Sequence, residues 1–124
     1  MIESRRDIES EVDIANLVHS FYAKVRADDI LAPIFNKVIK NDWNVHLEKM
    51  CDFWSTILLY TSKYLSDPMT KHIPLPLQKI HFDRWLELFN GTIAELFDGK
   101  IAEEAKKRAG NIARVMQGVK HIIK

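Results

Sequence analysis

Three of the chain's four prolines fall inside one stretch, Asp67–Phe89, DPMTKHIPLPLQKIHFDRWLELF. Everything around that stretch reads as helix, so the prolines decide where helix must stop. Asp67-Pro68 reads as a helix start, with an Asp cap and a proline at the first helical position. Pro74 and Pro76 forbid continuation, because each lacks an N–H and pushes the residue before it towards extended backbone. His72 is thereby placed at the end of roughly one helical turn. A second helix follows, carrying His81 and Trp85. A short rigid pedestal of this kind suits a ligand whose ring must point one way.

The rest of the chain carries helical periodicity and no strand-like alternation, which predicts an all-α fold. A length of 124 residues fits a single domain spanning 1–124, with 1–12 as a short or frayed N-terminal segment. Ile14, Leu17, Val18, Phe21, Tyr22 and Val25 recur at three- and four-residue steps and predict a first helix from about Asp13 to Ala27. Leu31 to Phe35, with Pro33 inside, reads as a tight corner. A helix capped at Asn41 or Asp42 follows, with Trp43, His46, Met50, Phe53, Trp54, Ile57 and Leu58 on its apolar stripe. Thr61 to Ser66 reads as a loop leading to the proline-bracketed turn. The next helix, about Leu77 to Phe97, is apolar on two sides and is expected at the centre of the fold. The last, about Ile101 to Ile123, turns Ile101, Ala105, Ala109, Ile112, Met116 and Val119 inward. Helices of this kind with short connectors must pack face to face.

Charge excludes several functions. Eighteen basic and seventeen acidic residues give +1 at pH 7. Nucleic acid or an anionic lipid surface would call for a basic face. One cysteine, Cys51, allows no internal disulfide and fits a reducing compartment. MIESRRDIESEVD lacks the apolar core of a signal peptide, and no run approaches the roughly 18 apolar residues of a membrane span. The expected location is the cytoplasm, with no membrane or nucleic-acid partner. No large exposed apolar stripe is apparent, so a monomer is expected.

Two residues with polar tips interrupt otherwise apolar stripes, Tyr22 and His46, and Trp85 joins them from the central helix. Taken singly, each has an ordinary reading as a satisfied core residue. Together they offer O–H and N–H donors from three helices, which would suit a small anionic or polarised ligand in an apolar pocket. A lone histidine such as His72 is most often a surface residue. The prolines that fix its direction favour a metal role instead, and haem iron commonly takes one proximal histidine. Zinc fits poorly, lacking Cys and His at short spacing. Cys51 reads as a small core residue, and no phosphate-binding glycine loop is present.

The blocks DIANLVHSFYAKVRADDILAPIF at 13–35, WNVHLEKMCDFW at 43–54, KHIPLPL at 71–77 and HFDRWLELF at 81–89 resemble the truncated haemoglobins, specifically group III. The resemblance covers about Asp13 to Lys120. It implies a two-over-two helical sandwich enclosing haem b (iron protoporphyrin IX), with His72 as the proximal iron ligand. It implies Tyr22, His46 and Trp85 as distal residues facing a bound gas. Phe21 and Phe35 would pack near the distal side of the haem, and Met50, Phe53 and Trp54 would wall the pocket. Ile73 and Leu75 would flank the proximal face. Lys71, His81 and Arg84 are candidate partners for the haem propionates.

The resemblance implies reversible binding of a diatomic gas: oxygen, carbon monoxide or nitric oxide. The same pocket would also serve a haem enzyme of nitric oxide dioxygenation or peroxide reduction, with Tyr22 and His46 polarising the ligand or moving a proton. Turnover would then need a reductase partner, since the chain shows no flavin or nicotinamide motif. A cofactor-free helical interaction module is a third reading. Such a bundle would fill its centre with Leu and Ile rather than with Tyr22, His46 and Trp85.

Overall fold

The structure is a computed structural model that describes residues 5–39, 42–61 and 77–123. Among the described residues there are five helices and no strand: α1 (Glu11–Ala27), α2 (Ala32–Ile39), α3 (Trp43–Leu59), α4 (Lys79–Leu96) and α5 (Lys100–Ile123). Residues 62–76, where the sequence predicts a loop and the turn bearing His72, lie outside the described residues, so the expectations for Lys71, His72, Ile73 and Leu75 do too.

The helix α1 buries the stripe expected of it, Ile14, Leu17, Val18, Phe21, Tyr22 and Val25. It packs on α3 and α4, and α4 packs on α5. The result is a two-over-two sandwich, with α1 and α3 on one side and α4 and α5 on the other. The centre of the α1–α4 contact is Phe21 and Phe89, both fully buried. Ala102, Ala105 and Ala109 form a buried small-residue stripe on α5, which lets that long helix pack closely against the core. Among the described residues no helix is long and apolar enough to cross a membrane.

Two segments differ from what the sequence predicts. Leu31 to Phe35 is not a corner but the entrance to α2. Asp28 accepts hydrogen bonds from Ile30 N–H (3.1 Å) and Leu31 N–H (3.0 Å) through Oδ2, which satisfies donors ahead of the helix. Pro33 then falls in the first turn, where a missing N–H does no harm. A proline can mark a helix start as well as a stop, so Pro33 does not require a corner here.

The N-terminal segment is the second difference. Residues 5–10 are not helical, yet they are tied down. Ile8 is 1% exposed. Asp7 accepts from Ile101 N–H at 2.9 Å and Ala102 N–H at 2.8 Å, capping the start of α5 from the far end of the chain. Asp98 N–H donates to the Arg6 carbonyl at 3.0 Å. Gly99 makes this approach feasible: its φ is +149°, and a Cβ there would run into the Asp7 carboxylate. On the other side, Asp13 accepts from Glu9 N–H (2.8 Å), Ser10 N–H (3.2 Å) and Arg6 (2.7 Å), starting α1.

Candidate functional site: an apolar cavity with three inward donors

Residues of all five helices, with Leu31 just before α2 and Leu77 before α4, line one cavity. Tyr22 comes from α1 and Trp85 from α4. His46, Met50, Phe53 and Trp54 come from α3 at the steps of a single helical face. Leu31 and Phe35 close one side. His81 and Phe82, with Leu77 just before α4, close another, and α5 adds Ile112, Ala113 and Met116. The cavity has a volume of about 90 Å³ and is partly open to solvent.

The rings are fixed by one another. Tyr22 meets His46 edge-on, with centroids 5.0 Å apart and planes at 90°. Trp85 lies parallel to Phe89 at 5.6 Å and 12°, and Phe89 in turn stacks on Trp54 at 4.8 Å and 22°. Phe21 stands edge-on to Tyr22 (4.8 Å), Phe89 (5.2 Å) and Trp85 (5.8 Å). Edge-to-face and offset packing of this kind adds about 0.5–1.5 kcal/mol per pair beyond area burial. The orientation of Trp85 is therefore set by a ladder of rings reaching back to α3.

Tyr22 is 4% exposed. Burial pushes its hydroxyl far above the usual phenol range, and a smaller contribution from Cys51 acts in the same direction. The group stays protonated and remains a donor at any physiological pH. Among the described residues neither the Tyr22 hydroxyl nor the Trp85 indole N–H has a hydrogen-bond partner. Burial, then Asp52 and Glu48, raises the Cys51 thiol, so Cys51 is a packed thiol rather than a nucleophile. Among the described residues no three His, Cys, Asp or Glu side chains cluster as a chelate. The walls are mainly apolar, and Tyr22, His46 and Trp85 are among the residues that line them.

Of the residues singled out from sequence, Tyr22, Phe35, His46, Met50, Phe53, Trp54, His81 and Trp85 line this one cavity. Phe21 does not; it sits behind Tyr22 and Trp85. Arg84 is also elsewhere: its Nε donates to Asp28 Oδ1 at 2.6 Å, clamping α4 to the α1–α2 connection. His81 lines the cavity while its Nδ1 accepts Gln78 N–H at 2.9 Å, which caps α4 and fixes the ring. Sequence reasoning did not assign Leu31, Leu77, Phe82, Ile112, Ala113 and Met116 to the site. The signal for Phe82, Ile112 and Met116 was present as inward positions, but an inward position does not say whether a side chain meets a neighbour or a cavity wall.

An all-α sandwich of this topology around an apolar, donor-bearing cavity is a globin architecture. The bacterial-like globin family model matches residues 7–120. A group 3 truncated hemoglobin of Campylobacter jejuni is 33% identical over 114 residues, covering 89% of this chain and 90% of that protein. The crystal structure of a group III truncated hemoglobin from Campylobacter jejuni superposes with a TM-score of 0.86 at 32% identity, covering 94% of both chains. The chain belongs to the bacterial-like globins, among the group III truncated haemoglobins.

Proposed function

We propose that the protein is a haem b protein that reversibly binds a diatomic gas, with Tyr22, His46 and Trp85 facing the ligand. The observation that carries this reading is the meeting of those three side chains, from three helices, on the wall of one apolar cavity. Haem, when bound, supplies the iron at which a diatomic ligand is taken up and released. The chain supplies the rest. Phe35, Met50, Phe53 and Phe82 exclude water and grip an apolar ring by contact. The protonated Tyr22 hydroxyl and the Trp85 N–H donate to a ligand that draws negative charge, and each such bond is worth about 1–3 kcal/mol in a dry site.

His72 is proposed as the proximal iron ligand and His81 as a propionate partner. His72 stands five residues before Leu77, so it lies within about 18 Å of a residue that lines the cavity. The ring contacts and burial of Tyr22 support its donor role independently of His72.

The test is an absorption spectrum of the hemin-loaded protein in ferric, ferrous and carbon monoxide forms. The expected result is a Soret band that shifts with carbon monoxide, and a His72→Ala protein that loses tight haem or its normal ferrous spectrum. A chain that stays colourless with hemin would remove the function, and an unchanged ferrous spectrum in His72→Ala would remove that residue from its role.

A further inference from the structure

Trp43 opens α3 and is 7% exposed, yet it does not line the cavity. It touches three residues that do. It lies near-parallel to Phe35 at 6.4 Å and 21°, and edge-on to Tyr22 at 6.1 Å and to His46 at 5.8 Å and 89°. His46 is three residues further along the same helix face. At the start of α3 the Asp42 side chain forms no cap hydrogen bond. What reaches it from outside is Arg26, in the last turn of α1, with its guanidinium carbon 4.6 Å from the Trp43 ring centroid. Among the described residues Arg26 forms no ion pair, so its cation is committed to the indole face. A planar guanidinium on an indole is a favourable stack as well as a charge–quadrupole contact.

We propose that Arg26 and Trp43 are positioning residues: Arg26 pins Trp43 across the α1–α3 junction, and Trp43 holds the His46 imidazole against Tyr22, setting how readily a small ligand reaches the cavity. The proposal rests on the gas-binding reading of that cavity for its consequence, but not for its geometry. Without the guanidinium, Trp43 loses the contact on its outer face at a helix start that the Asp42 side chain does not cap. The first turn of α3 can then shift, and His46, on that turn's face, shifts with it. A lysine at 26 keeps a cation within reach of the ring, whereas an alanine keeps nothing.

The test reads His46 directly, by carbon-13 NMR of histidine-labelled full-length protein with and without hemin. The resonance is assigned among the five histidines by its loss in His46→Gln. Wild type and Arg26→Lys should give one narrow His46 line. Arg26→Ala and Trp43→Leu should give a broadened or doubled line. Carbon monoxide association after flash photolysis should rise about three- to fivefold in Arg26→Ala and stay near wild type in Arg26→Lys. Lys24→Ala, on the same helix as Arg26, is the control: it breaks the 2.8 Å ion pair to Glu95 of α4 without touching Trp43, and should leave His46 unchanged. An unaltered His46 line in Arg26→Ala, or the same alteration in Lys24→Ala, overturns the proposal. A wild-type chain that takes up neither hemin nor carbon monoxide overturns the gas-binding reading instead, and the His46 line alone then decides the positioning role.

Discussion

Tyr22 has a hydroxyl in an apolar wall, and burial keeps its proton on. That arrangement costs stability unless something accepts the hydrogen bond, so the hydroxyl is the group to remove first. Tyr22→Phe keeps the ring contacts to Phe21, Phe35 and His46 and deletes only the donor. The expected outcome is unchanged or slightly raised thermal stability, with gas dissociation faster by about tenfold to a hundredfold in stopped-flow displacement. A rate within twofold of wild type would mean that Tyr22 gives the ligand no bond. Tyr22, His46 and Trp85 stand out in the sequence because polar tips on apolar stripes violate the pattern that surrounds them, and all three line the cavity. Arg84 was misleading for the opposite reason. A cation near a candidate site looks available until the fold shows it clamped on Asp28, a partner 56 positions away in sequence.

At the scale of elements, the helices were readable from periodicity and the joints were not. Nothing local shows that Asp28 will gather Ile30 N–H, Leu31 N–H and Arg84, or that Asp7 will cap a helix that begins at Lys100. These joints make the fold acid-sensitive. Burial pushes the Asp28 carboxyl up, but the Arg84 bond and the two N–H groups outweigh it and leave it below the ordinary carboxylate range. Asp7 behaves likewise, with burial opposed by the Ile101, Ala102 and Ile8 N–H groups, and Asp13 is lowered chiefly by its bond to Arg6. A carboxyl lowered on folding binds fewer protons folded than unfolded, so stability rises with pH across that window. The contribution is complete above the unfolded value of about 4 and is lost as pH falls from there through the folded values. Asp28→Asn should lower stability at pH 7 by about 1–2 kcal/mol in urea unfolding and flatten the acid limb. Gly99→Ala should cost about 2 kcal/mol or more, because positive φ and the Asp7 contact both oppose a Cβ. Restoring room with Gly99→Ala plus Asp7→Ala should not recover the loss, since the cap on α5 goes with the carboxylate.

Among the described residues the core falls into two clusters. The larger cluster joins α1, α3, α4 and the first half of α5. A smaller one holds Phe82, Ala113 and Met116, and the two are bridged by half-buried Trp85, Leu86 and Ile112. Phe82, Ala113, Met116, Trp85 and Ile112 all line the cavity, together with residues of the larger cluster such as Tyr22 and Trp54. A flat apolar cofactor seated there would bury surface from both clusters at once and make them one. Ligand that binds only the folded state stabilises it by about 2.7 kcal/mol at a free concentration one hundred times its Kd. For a chain of this size that corresponds to a rise in Tm of roughly 10 °C. The gain should also be local. Amide hydrogen exchange should slow most around Phe82 in α4 and from Ile112 to Met116 in α5, where the smaller cluster depends on its bridge, and least around Leu17 and Val18 in α1, which are already packed without it. Circular dichroism melting with and without hemin checks the first expectation, and exchange mass spectrometry checks the second. Uniform slowing along the chain, or none in the second half of α5, would place the cofactor somewhere other than between the two clusters.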